Sequence, residues 1–96
     1  MKDTSHNFPI KLHVLLDMED PAIVSWTENG KSFRVHDMHK FRDISLPKYY
    51  RHSKMTSFQR QLNLYGFQKI NHGEEVGAYF HPLFVRGKRE LVKDIK

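Results

Sequence analysis

Residues Met55 to Phe67 read M-T-S-F-Q-R-Q-L-N-L-Y-G-F, and the spacing within them decides the fold. Wound as an α-helix at about 100° per residue, Met55, Phe58, Leu62 and Tyr65 share one side, the i, i+3, i+7, i+10 stripe of a helix packed on a core. Arg60 falls near the centre of the opposite side, with Thr56 and Asn63 beside it, and Ser57, Gln59 and Gln61 line the flanks. The outward face thus carries one forked cation among amides and hydroxyls, with no acid. Such a face hydrogen-bonds base edges and phosphates. An ordinary core helix also shows water a polar face, so the surrounding charge has to separate the two readings.

The formal net charge of +5 is unevenly placed. Met1 to Asp43 holds six Lys/Arg against seven Asp/Glu, a balance of −1. Ile44 to Gly73 holds five bases (Lys48, Arg51, Lys54, Arg60, Lys69) and no acid, a balance of +5. Glu74 to Lys96 holds five bases and four acids, a balance of +1. The net positive charge therefore lies in the segment that contains the polar-faced helix, which suggests a polyanionic partner. With 96 residues the chain makes one domain with a single modest core. It has no apolar run long enough to span a bilayer, and no cysteine for disulfides or thiolate metal sites.

Outward from the helix, the pattern gives a complete topology. Residues 1–7 read as a disordered polar segment, and 8–96 as one folded domain. Phe8-Pro9 opens a first helix with Ile10, Val14 and Leu15 on its apolar stripe and Leu12 and Leu16 alongside. Ile23–Trp26 and Ser32–Val35 read as a hairpin across the Asn29-Gly30 turn, with Phe33 and Val35 on one face. Asp37 caps a second helix through Phe41 and Ile44 to about Leu46, which Pro47 should end or kink. Ser53 or Thr56 caps the helix of Met55–Tyr65, and Gly66 closes it. Phe67–Asn71 and Ala78–His81 are strands around a loop whose two glycines signal flexibility, and Glu90–Ile95 is a short final helix. This order predicts an α+β fold, a winged helix-turn-helix in which a three-helix bundle is capped by a small antiparallel β-sheet.

L-P-K-Y-Y-R-H-S-K-M-T-S-F-Q-R-Q-L-N-L-Y-G-F-Q-K-I, Leu46 to Ile70, resembles the core signature of heat shock factor DNA-binding domains. Supporting matches are F-P-I-K-L at Phe8–Leu12, then Trp26, Gly30, Phe33, Val35 and Asp37, and H-P-L-F-V-R-G at His81–Gly87. The resemblance implies a nuclear transcription regulator that binds double-stranded DNA and reads inverted G-A-A repeats with helix 55–65 in the major groove. It assigns the guanine-reading role to Arg60, which agrees with the bidentate chemistry of an arginine on guanine O6 and N7. It assigns backbone contacts or support to Arg51, Ser57, Gln61, Asn63, Tyr65 and Lys69, and Lys54 joins the phosphate-holding set by its charge. It further implies a homotrimer through a coiled coil elsewhere, the isolated domain being monomeric because no heptad run is present. Three positions depart from the family pattern. Gln59 stands where animal members have an apolar residue, and its amide is a second candidate base contact. Gln68 replaces a common basic residue, and the wing over Asn71–Ala78 is short.

Other constellations carry less. His36 and His39 stand at i, i+3 without further convergent ligands, and Asp37 between them is better used as a cap, so no metal or other cofactor is expected. Phosphate-binding glycine loops and nucleophile elbows are missing, so the chain does not read as an enzyme. Trp26, Phe33, Phe41, Phe58 and Phe67 read as core, while one of Tyr49 and Tyr50 is core and the other free to reach a phosphate. The rival reading is a winged-helix protein–protein interaction module without DNA binding. It needs an exposed apolar patch on the Arg60 face, where only Leu64 and Phe67 are apolar.

Overall fold

The structure, a computed structural model, describes residues 8–95. The segment 1–7, expected to be loose, lies outside the described residues, as does Lys96. Helix α1 is Phe8–Met18. Its buried face is Phe8, Leu12, Leu15 and Leu16, at i, i+4, i+7, i+8, and not the stripe expected around Ile10 and Val14. Once Phe8 enters the core, the helical period turns Ile10 outward, to 40% exposure.

Strands β1 (Val24–Trp26) and β2 (Ser32–Val35) pair antiparallel, with Val24 opposite Val35 and Trp26 opposite Phe33. Their turn is the expected one. Asn29 Oδ1 accepts from the Thr27 hydroxyl and the Lys31 amide, and Gly30 takes a φ of 74°. A Cβ at Gly30 would also meet the Arg86 Cβ at 3.3 Å, so the turn needs glycine for both conformation and space.

Asp37 caps α2 (Met38–Lys40) by accepting the Lys40 amide at 3.0 Å. Of the end or kink expected at Pro47, the end is overturned. A π turn, Phe41–Ser45, follows α2 directly, and α3 (Leu46–Tyr50) follows that. The Leu46 amide donates to the Phe41 carbonyl, an i→i+5 bond. A proline within an α-helix lacks an amide and crowds the carbonyl four residues back. A widened turn just before it relieves that conflict. The same widening brings Phe41 and Leu46 to the core together and leaves Ile44 43% exposed.

Helix α3 ends where Arg51 adopts the left-handed conformation, φ 65°, with its amide bonded to the Pro47 carbonyl at 3.2 Å. The short connector then enters α4 (Met55–Leu64). Neither Ser53 nor Thr56 caps it. The N-cap is Lys54, whose side chain makes no capping bond and whose amide donates to His52 Nδ1 at 3.1 Å. At the other end the Gly66 amide bonds the Asn63 carbonyl at 3.1 Å and the Phe67 amide bonds the Leu62 carbonyl at 2.9 Å. With Gly66 at φ 85° this is a Schellman closure.

Strands β3 (Gln68–Lys69) and β4 (Tyr79–Phe80) complete an antiparallel sheet of order β1-β2-β4-β3. A 3₁₀ helix, Arg89–Asp94, closes against α1 and buries Val92. Phe41, Phe58, Leu12, Leu46 and Leu62 fill the space among the helices, while Phe33, Phe67 and Phe84 meet under the sheet. Helices α1, α2–α3 and α4 with this sheet make the winged helix-turn-helix.

Candidate nucleic-acid interface

Helix α4 is fixed by rings. Phe58 (2% exposed) packs edge-on to Phe41 with centroids 5.0 Å apart and lies 5.7 Å from Phe8. Phe8 in turn stacks on Tyr50 at 5.2 Å and on Tyr65 at 5.7 Å. The Tyr50 hydroxyl donates to the Phe8 carbonyl at 2.8 Å, and burial pushes it well above the usual tyrosine value, so it stays neutral. Tyr50 is thereby the core member of the Tyr49–Tyr50 pair, and Tyr49 is half-buried beneath Lys48. Leu62, fully buried one turn on from Phe58, completes the inner face. Rotation of α4 about its axis would break the contacts of Phe58, Leu62 and Tyr65, so the opposite face is held in one orientation.

That opposite face carries Thr56, Gln59, Arg60, Asn63 and Leu64, all exposed. Phe67, expected as a second apolar residue there, is 3% exposed and packs on Phe33 and Phe84. Leu64, at 66% exposure, is the apolar group left on this face.

The cations sort into two sets. Arg42 pairs with Asp43, Lys48 with Glu19, and Arg89 with Asp17, while Arg34 donates to the Val76 and Glu74 carbonyls. Lys48, counted in the basic segment, is therefore spent on a buried carboxylate. Burial works to raise the Glu19 carboxyl. Bonds from Ser45 (2.7 Å), Lys48 (3.2 Å) and the Asp20 amide outweigh it and hold Glu19 below the usual value. Among the described residues Arg51, Lys54, Arg60 and Lys69 form no ion pair, and all four are exposed. The cations at and around α4 remain available to an external anion.

The remaining candidates fall on the flanks. Ser57 and Gln61 are half-buried on the edge facing α1, and Tyr65 is engaged with Phe8. Lys69 leaves β3 with its ammonium 5.9 Å above the Tyr79 ring. Two clefts run beside α4. One lies between α1 and α4 and includes Lys11, Tyr50, His52, Ser57 and Gln61. The other lies between α4 and the sheet and includes Arg34, Met38, Met55, Gln59, Lys69 and Tyr79. Among the described residues no acid lines either cleft. The sequence reading missed Lys11 and Arg34. The available signal for Lys11 was its i+3 spacing from Phe8, which sets it on the edge of the buried stripe. Arg34 gave no local signal, because its partners lie 40 and 42 residues away.

The wing between β3 and β4 is tied down. Arg34 Nη1 donates to the Val76 carbonyl at 2.6 Å, and the Ser32 hydroxyl donates to Glu75 at 3.2 Å. Gly73 and Gly77, both at φ 92°, form the corners of the loop, a conformation open to glycine. Of the histidines weighed for metal, His36 Nε2 pairs with the Ser25 hydroxyl at 2.8 Å and His39 is exposed. His52 serves the backbone of Lys54.

Residues 8–96 match the model of the HSF-type DNA-binding family. The chain is 41% identical over 99 residues to heat shock factor protein 1 of Bos taurus, covering 93% of this chain and 19% of that protein. It is 47% identical over 82 residues to heat stress transcription factor A-7a of Arabidopsis thaliana, covering 82% of this chain and 29% of that protein. The chain thus spans between a fifth and a third of the length of these relatives. Among solved structures it is similar to Skn7 of Chaetomium thermophilum crystallised with SSRE DNA, at TM-score 0.84 and 35% identity over 94% of this chain and 97% of that one. The same fungal protein crystallised with HSE DNA gives a TM-score of 0.82 at 35% identity, over 94% of this chain and 98% of that one. With its helix-turn-helix, four-stranded sheet and ring-anchored α4, the chain belongs to the HSF-type DNA-binding family.

Proposed function

We propose that this domain binds double-stranded DNA in a sequence-specific way, with α4 in the major groove, as the DNA-reading part of a nuclear transcription regulator of the heat shock factor type. The observation that carries the proposal is Arg60, exposed on an acid-free helix face whose orientation is fixed by the Phe8–Phe58–Tyr65 rings. Arg60 reads a guanine through its two-pronged guanidinium, within inverted G-A-A units, and Gln59 contacts a neighbouring base through its amide. Arg51, Lys54 and Lys69 hold phosphates and set the register, and Ser57, Gln61, Asn63 and Tyr65 donate to the backbone or support those that do. The role is recognition, not catalysis. Residues 8–96 act as one domain, which alone is monomeric. Trimerisation belongs to the longer protein, as the lengths of its relatives allow.

The rival reading, a protein–protein module, needs an apolar patch on this face, and Leu64 alone does not make one. Fluorescence anisotropy with an inverted G-A-A duplex and a scrambled duplex, across a salt series, tests the proposal. We expect tighter binding to the G-A-A duplex. For about three to five neutralised phosphates, log K should fall against log salt with a slope of about −2.7 to −4.5. Equal affinity for the two duplexes, or binding indifferent to salt, would overturn it.

A further inference from the structure

We infer that the cleft between α1 and α4 is a phosphate seat, with Lys11 of α1 as the cation that closes it over one strand of DNA. The inference rests on the DNA-binding reading above and adds a contact from an element outside the helix-turn-helix. The α4 face has two edges, and each cleft along them holds a lysine. On the sheet edge this is Lys69, already named as a phosphate contact. On the α1 edge it is Lys11, half-buried, with its ammonium 6.0 Å from the centroid of Tyr50. Among the described residues Lys11 forms no ion pair, although it sits in the part of the chain where acids outnumber bases.

The other polar groups of this cleft suit an oxyanion. Ser57 brings a hydroxyl, His52 a ring, and Gln61 an amide whose Oε1 is buried without a hydrogen-bond partner. Buried amide oxygens are seldom left alone. With Oε1 as the buried end, the NH₂ is the end of the Gln61 amide left to donate to an anion beside the Lys11 ammonium and the Ser57 hydroxyl. Among the described residues no carboxylate lines the cleft to repel the anion. The shared chemistry is a tetrahedral phosphate, either a phosphodiester of the bound duplex or free phosphate. The position of the cleft beside the reading face favours the phosphodiester.

The test compares Lys11→Gln, Lys11→Arg, Lys69→Gln and Lys31→Gln, the last in the β1–β2 turn and outside both clefts. Thermal melts establish that each variant is folded. In anisotropy titrations Lys11→Gln should make the salt slope shallower by about one unit, as Lys69→Gln does. The loss of affinity at 50 mM salt should then shrink by about three- to fourfold at 200 mM. Lys11→Arg should keep the parent slope, and so should Lys31→Gln. A slope unchanged by Lys11→Gln but lowered by Lys69→Gln overturns the Lys11 seat and leaves the DNA-binding reading standing. Salt-independent binding of the parent domain overturns both. Nuclear magnetic resonance titration with inorganic phosphate at constant ionic strength separates the two sources. Saturable shifts at Ser57 and Gln61 that Lys11→Gln abolishes, with no change in the DNA slope, would make the occupant free phosphate and overturn the DNA contact.

Discussion

The two edges of α4 are held by different forces. Along the α1–α3 edge four rings, Phe8, Tyr50, Phe58 and Tyr65, touch in sequence at centroid distances of 5.2 to 6.3 Å. Along the sheet edge the wing is strapped by Arg34 to backbone carbonyls and by Ser32 to Glu75. Ring packing buries area, ignores salt and allows few alternative arrangements. Exposed hydrogen bonds compete with water and open locally at low cost. Arg60, the residue proposed to read sequence, is thus fixed from the rigid edge, and the wing is expected to open without turning α4.

Removing the centre of the ring cluster should break the rigid edge outright. Phe58→Ala is expected to cost about 3–5 kcal/mol in urea melts, a large part of what so small a domain has. A loss under about 1 kcal/mol would mean that the rings do not set α4, and the contrast between the edges would fall. Arg60→Ala should leave those melts unchanged but weaken the G-A-A duplex by about 1–3 kcal/mol and relax preference at the guanine. If it weakens all duplexes equally, Arg60 holds a phosphate and reads nothing.

The softer edge should yield smaller and more local effects. Arg34→Ala is expected to cost about 1 kcal/mol and to speed amide exchange at Val76 and Gly77 while α4 amides stay protected. Loss of protection in α4 as well would join the two edges into one unit. Smallest in free energy, Lys69→Ala should weaken cognate and scrambled duplexes alike and flatten the salt slope by about one unit. A cognate-only loss would instead make Lys69 a reader of sequence.

The inner face of α4 was legible because its signals are local: apolar residues at helical spacing and a glycine that closes the helix. The Asn29-Gly30 hairpin and the Asp37 cap were legible for the same reason. What stayed hidden depends on partners distant in sequence. Phe8 enters the core because Phe58 and Tyr65 receive it, and that decides that Ile10 faces water. Pro47 read as an end or a kink, since the rule against proline in a helix assumes regular α turns, and here the turn before it is widened. The absence of acids around α4 was visible in the sequence. That Lys48 is neutralised by Glu19 while Lys11 is not required the fold.

The widened turn at Phe41–Ser45 also governs where this chain tolerates a change of length. It holds one residue more than an α-helix would need over the same span. Deleting Ile44 would restore regular hydrogen bonding and keep Phe41 and Leu46, then four residues apart, on one face. It would also return Pro47 to a regular helix, with its ring against the carbonyl four residues back, so a more regular turn would carry a strained helix. The wing tip has no such conflict to relieve: a Cβ at Gly73 would meet nothing within 4 Å. A change of length is therefore expected to cost less at the wing tip than between Asp37 and Arg51, where Pro47 needs the extra residue before it.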